Sequence, residues 1–188
     1  MARTPSTSAH EKVIQAALDL IVERGIDGVS MDAIAGAAGV SKATVYKHWA
    51  NKDALLIDVI RKVSGELPEF DSGNPKADLI ALLRYLSQVK KMAELGRIWM
   101  RVVSYALANA EFAKALHEHA FGPRRRQISR LLTQAAASGE IQPGIDPDLA
   151  MDLLIGPIIH RRFVDEKNVP PDLPDRVVDY FWQWAKVR

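Results

Sequence analysis

The 188-residue chain contains no cysteine. That excludes disulfide scaffolds and thiolate metal sites and fits a reducing compartment. Long apolar stretches are missing too. The longest uncharged runs span about nine residues, as at 102–110, whereas a membrane-crossing helix needs roughly 20. The N-terminal MARTPSTSAH lacks the apolar core of a signal peptide, so a cytoplasmic protein with no membrane partner is expected. Nor is there a surplus of one charge. The formal net charge is +2, and residues 1–60 hold six Lys/Arg against seven Asp/Glu. Bulk charge therefore points to no partner, and any case for nucleic acid must rest on where the charges sit.

A local absence is more informative. No Asp or Glu occurs from residue 33 to residue 52. Within that window begins SKATVYKHWANKDALL, residues 41–56, which sets Tyr46, His48 and Trp49 among three lysines. A chance window of this length lacks acids roughly one time in ten, so the gap supports a reading without making one.

What the chain does have is helical periodicity, with 48% hydrophobic residues, enough for a packed core. Ile14, Ala17, Leu18 and Ile21 recur at i, i+3, i+4, i+7, and Gly25 supplies a stop, predicting a first helix over 9–24. Ser30 caps a second helix ending at Gly39, Ser41 a third ending near Trp49, and Asn51 a fourth reaching Ser64. The segment ELPEFDSGNP at 66–75 reads as a connection. Longer helices follow over 76–92, 94–108, 111–138 (broken near Gly122 and Pro123), 148–164 and 175–187. Alternating β patterns and tandem repeats are not evident. The expected fold is all-α with about nine helices, a small N-terminal domain preceding a larger bundle.

A helix-turn-helix needs a small residue where its helices touch, a residue tolerant of positive φ at the turn, and a branched apolar residue to fill the gap. Ala35, Gly39 and Val45 meet these needs at spacings of four and six. The same spacing also serves an ordinary αα-hairpin. Turned at 100° per residue, the third helix places Val45 and Trp49 on one side. Ala43, Thr44, Lys47 and His48 lie opposite, with Tyr46 on the shoulder and Lys42 at the start. Thr and Ala suit base edges and the thymine methyl; Lys, Tyr and His suit phosphate oxygens. Lys52 adds a cation beside backbone N–H groups that favour an anion. Ser30 and Ser41 offer hydroxyls where capping does not consume them. Tyr46 as a half-buried packing residue and His48 as an ordinary surface histidine remain open.

At these residues the sequence resembles the TetR family of bacterial transcriptional regulators. The likeness runs from about His10 to Ile60, through a helix ending ERG and then GVSMDAIAGAAGVSKATVYKHWANKDALL. The resemblance implies a DNA-binding third helix, a homodimer on a palindromic operator of double-stranded DNA, and a C-terminal domain that accepts an effector. Carried over by position, the DNA-facing set is Lys42, Ala43, Thr44, Tyr46, Lys47, His48 and Lys52. Trp49 stands where Phe is commoner. Asp32 lies where the second helix nears the backbone; an acid there is repelled unless it turns away, so it is left out of the contact set. The implied domains are an arm over 1–8, a DNA-binding domain over 9–64 and an effector-binding and dimerisation domain over 65–188.

DPDLAMDLLIGPIIHRRFV resembles the penultimate helix of one C-terminal subgroup, and its Gly156-Pro157 predicts a bend. The family's last two helices form the dimer interface, which here makes Leu154, Ile158, Arg161, Arg162, Phe181, Trp182 and Trp184 candidates. Packing of the aromatics within the monomer is the alternative. An effector site would draw on Tyr85, Met92, Trp99, Met100, Tyr105, Phe112 and His117, suiting a small hydrophobic or aromatic molecule. Such a stripe serves equally as plain core.

Other features carry less. His117 and His119 at i, i+2 point about 200° apart on a helix, so they predict no metal site. Arg124–126 reads as a solvated first turn, with a second nucleic-acid patch the alternative. Arg3 is either a minor-groove arm or part of a disordered terminus. No catalytic constellation or cofactor motif is present, so no enzyme and no cofactor are expected. A regulator without an effector and a bundle that no longer binds DNA are the competing readings.

Overall fold

The computed structural model describes residues 6–88, 92–164 and 169–187. Arg3 and most of the expected arm lie outside them. Among the described residues there are ten α-helices and no strand. They are α1 (Ser6–Arg24), α2 (Met31–Ala38), α3 (Lys42–His48), α4 (Lys52–Ser64), α5 (Pro75–Gln88), α6 (Met92–Ala108), α7 (Ala110–Leu116), α8 (Gly122–Ala137), α9 (Pro147–Ile159) and α10 (Leu173–Ala185). Two π-helical turns, His117–Phe121 and His160–Val164, follow α7 and α9. The expected long helix over 111–138 is thus divided, with Pro123 in the first turn of α8, where its missing N–H costs nothing. Pro157 lies inside α9, and the next turn widens into π geometry.

Packing divides the chain into two compact units, one of residues 1–66 with 91–120 and one of residues 67–90 with 121–188. They interleave along the sequence. In the first unit α1 packs on α2, α4 and α6, and α4 packs on α7. Its core includes Val13, Ile14, Ala17 and Ile21 of α1, Ile34 and Ala35 of α2, Val45 after the turn, and Leu55, Leu56, Val59 and Ile60 of α4. Each large aliphatic side chain removed from water contributes about 1.5–3 kcal/mol.

In the second unit Leu79, Leu82 and Leu83 of α5 meet Ile128, Leu131 and Ala135 of α8, Ala150, Leu154 and Ile158 of α9, and Val178, Phe181 and Trp182 of α10. Arg84 grips Asp175 through its Nε at 3.0 Å, and Lys76 pairs with Asp179 at 2.7 Å. The arginine triplet departs from a solvated turn. Burial pulls the Arg124 guanidinium below its usual range, Arg125 pairs with Asp148 at 2.9 Å, and only Arg126 of the three is exposed.

Candidate nucleic-acid interface

The helix-turn-helix is built by local capping. Ser30 Oγ accepts from the Ala33 N–H at 3.2 Å to start α2. Gly39 ends it at φ +65°, a conformation that lets the Val40 N–H reach the Ala35 carbonyl at 3.1 Å. Two residues later Ser41 Oγ accepts from the Thr44 N–H at 3.1 Å and lies 2.8 Å from the Thr44 hydroxyl. Asn51 caps α4 through the Ala54 N–H at 2.9 Å. Capping uses the serine oxygens as acceptors and leaves their O–H groups a separate donor role.

The orientation of α3 follows from the two side chains it buries. Val45 is 0% exposed and Trp49, just past the helix end, 2%. The Trp49 indole N–H donates to Asp58 Oδ2 at 2.9 Å, tying the end of α3 to α4. Lys42, Ala43, Tyr46, Lys47 and His48 are exposed and Thr44 half-buried. One face is thereby anchored, and the other carries three bases, a phenol and a methyl group.

Three features were not visible in the motif. Asp32, outside the acid-free window by one residue, accepts from Lys42 Nζ at 2.5 Å and so pairs with a lysine of the face. His10 of α1 stacks on Trp49 at 4.7 Å between ring centroids and meets His48 edge-on at 5.8 Å. An α1 histidine thus adjoins the end of α3, a neighbour set that helical periodicity within α3 has no means of predicting. Lys52 is half-buried, donates to the Ile26 carbonyl at 3.2 Å and lies over the Tyr105 ring at 5.1 Å.

The residues expected around an effector have mixed fates. Tyr85 belongs to the second unit, its ring 6.3 Å from that of Phe70. Trp99 is half-buried, while Met100 and His117 are exposed. Tyr105 donates to Asp53 Oδ1 at 2.9 Å and packs edge-on against Phe112, which is buried. The Met92 side chain lies outside the described residues. A groove of about 330 Å³ in the second unit is lined by Leu67, Pro68, Glu69, Pro123, Arg126, Gln127 and Arg130, none of them in the expected set.

The interface candidates divide by burial. Leu154, Ile158, Phe181 and Trp182 are at most 5% exposed, consumed by the core of their own unit. Arg162 is half-buried and donates to the Ser87 carbonyl, so one side of its guanidinium serves that unit as well. Arg161 is half-buried. Of the three candidate aromatics, Trp184 alone is exposed, at 51%. The apolar surface lies one helical step away, on Leu149 and Leu153 of α9 and on Tyr180 and Trp184 of α10.

Residues 13–59 match the family model for bacterial regulatory proteins of the tetR family, and residues 70–181 match a tetracyclin repressor-like C-terminal domain. The chain belongs to the TetR family. It is 32% identical over 169 residues to the uncharacterised HTH-type transcriptional regulator YdeS of Bacillus subtilis (strain 168), a match covering 88% of this chain and 85% of that one. It is 26% identical over 151 residues to a DNA-binding transcriptional repressor TetR of Mycobacteroides abscessus, covering 79% of each. The crystal structure of a TetR family transcription regulator superposes with a TM-score of 0.69 at 28% identity, over 93% of this chain and 97% of that one. This chain is accordingly a TetR-family transcriptional regulator, with a helix-turn-helix at 31–48, and not an enzyme. Among the described residues no helix is long and apolar enough to cross a membrane.

Proposed function

We propose that this TetR-family regulator is a cytoplasmic repressor. A homodimer would bind a palindromic operator through α3 and leave it when the C-terminal part accepts a small hydrophobic or aromatic molecule. The observation that carries the DNA-binding part is the division of α3. Val45 and Trp49 are buried, while Ala43, Lys47 and His48 are exposed on the side away from them, with Tyr46 exposed on the shoulder and Lys42 exposed at the start. In this reading Lys42, Ala43 and Thr44, at the start of the helix, read base edges. Tyr46, Lys47, His48 and Lys52, joined by the Ser30 and Ser41 hydroxyls, hold phosphates.

The dimer reading draws support from the exposed apolar face. Leu149 and Leu153 are 46% and 45% exposed, and Tyr180 and Trp184 are 66% and 51% exposed. The i, i+4 spacing gives each helix a short apolar stripe that a second copy would cover. Dimerisation would set two copies of α3 about 34–36 Å apart, one turn of DNA. Repression is supported by the likeness to the mycobacterial repressor. The effector rests on family membership, since release requires only that a ligand prefer one of two dimer states.

The test is a genomic binding-site selection with the purified full-length protein, followed by a screen of metabolites for release. Recovery of one palindromic site, and its release by a metabolite, is expected. No sequence enrichment at modest salt would sink the DNA-binding reading.

A further inference from the structure

We infer that Tyr105 of α6, with Asp53, positions Lys52 for contact with a DNA phosphate. This inference rests on the DNA-binding reading above. Lys52 is the first residue of α4, where Asn51 caps the helix and the backbone N–H groups favour an anion. A lysine at such a place is ordinarily a mobile point charge, and ordering its four-carbon stem on binding costs rotamer entropy.

Here the stem is ordered before any ligand arrives. Nζ donates to the Ile26 carbonyl at 3.2 Å and sits 5.1 Å from the centroid of the Tyr105 ring. An ammonium has three donors; the carbonyl takes one, and the ring face holds the charge without taking a donor in the ordinary sense. The remaining capacity is available to a phosphate oxygen.

The ring itself is fixed from several directions. Its edge meets Phe112 at 4.9 Å and 70°, and Phe112 is 1% exposed. One turn earlier on α6, Arg101 donates to the Ile21 carbonyl near the end of α1 at 2.5 Å. The Tyr105 hydroxyl donates to Asp53 Oδ1 at 2.9 Å. Burial, then the Asp53 carboxylate, pushes that phenol up to about 12, so it stays a proton donor at any working pH. This bond has a second consequence. Asp53 is the acid in the first turn of α4, beside the lysine, where an unengaged carboxylate would repel a phosphate. The phenol draws it toward α6.

A plain structural role for the cluster predicts lost stability and nothing specific to Lys52. Positioning predicts a change in the electrostatics of binding. The experiment uses full-length protein and a fluorescent duplex of random sequence, followed by anisotropy across a salt series. The variants are Lys52→Ala, Tyr105→Phe, Tyr105→Leu, Tyr105→Met and Lys52→Ala/Tyr105→Leu, each checked for folding by thermal melting. Lys52→Ala should reduce the slope of log K against log salt by about one. Tyr105→Leu and Tyr105→Met, which remove the ring face, should lower it similarly and weaken binding several-fold. Tyr105→Phe keeps the ring and should keep the slope. In the Lys52→Ala background, Tyr105→Leu should weaken binding by less than it does in wild type, leaving only the part due to the released Asp53 carboxylate. Whichever of the Leu and Met variants folds, a wild-type slope in it overturns the inference, as does full additivity in the double variant. Wild-type protein that binds no duplex overturns the DNA-binding reading itself, a result distinct from either.

Discussion

The ammonium of Lys42 lies 2.5 Å from Oδ2 of Asp32, joining the first turn of α3 to the first turn of α2. Both side chains are more than half exposed, at 65% and 53%. As a contribution to stability such a surface pair is worth little, about 0–1 kcal/mol. Its consequence is for binding. The pair neutralises the one lysine nearest the base-reading end of α3, and leaves a carboxylate where a duplex would approach. Asp32→Asn removes both effects. It should tighten binding to operator and random duplex alike, by about three- to tenfold at low salt and less at high salt. Anisotropy titrations at two salt concentrations check this, and weaker binding would show that Asp32 orients Lys42 productively.

Within α3, base and phosphate contacts are separable by what a mutation does to sequence preference. Lys47→Ala and His48→Ala should weaken all duplexes by a similar factor. Thr44→Val retains the shape but removes the hydroxyl that pairs with Ser41 at 2.8 Å. It should shift the preferred base at one or two operator positions, a discrimination of about 1–3 kcal/mol. Binding-site selection repeated with each variant gives the answer. A uniform loss for Thr44→Val would remove it from base readout.

The helix-turn-helix was legible in sequence because local rules determine it. Ala35, Gly39 and Val45 act at fixed spacing, and Ser30, Ser41 and Asn51 cap within three residues. The partners of Lys52 were not legible, since Ile26 and Tyr105 lie 26 residues before and 53 after it, and only tertiary packing joins them. Which face of α9 turns inward was not legible for a different reason. α9 carries Ala150, Leu153, Leu154, Ile155 and Ile158, apolar on nearly every side, so periodicity gives no phase. Leu154 and Leu153 are adjacent in sequence and have opposite fates, one in the core and one 45% exposed.

Trp49 is anchored twice, by burial and by the indole N–H on Asp58. Trp49→Phe keeps most of the apolar contact and loses the bond. A half-buried carboxylate then loses its nearest donor, with Arg61 at 3.7 Å and His10 at 3.8 Å as more distant partners. The expected cost is about 1–2 kcal/mol of stability. Asp58→Ala in the same background should show non-additivity of about 0.5–1.5 kcal/mol in chemical denaturation. Simple additivity would mean that the indole–carboxylate bond contributes nothing.

The apolar stripes of α9 and α10 separate assembly from folding. Leu153→Glu and Trp184→Glu place charge on exposed positions, so each protomer should keep its fold and melt within a few degrees of wild type. If a second copy covers these stripes, burying an unpaired carboxylate there costs several kcal/mol per interface, and the symmetry of a two-fold contact doubles it. Light scattering should then report a monomer for the double variant. Affinity for a full palindrome should collapse toward that for a half-site. Leu154→Ala makes the contrast, because it opens a cavity in the core of its own unit and should cost about 2–5 kcal/mol of stability. If Leu153→Glu/Trp184→Glu stays dimeric while Leu154→Ala merely unfolds, the second copy sits elsewhere, and the spacing of the two recognition helices must be set by another surface.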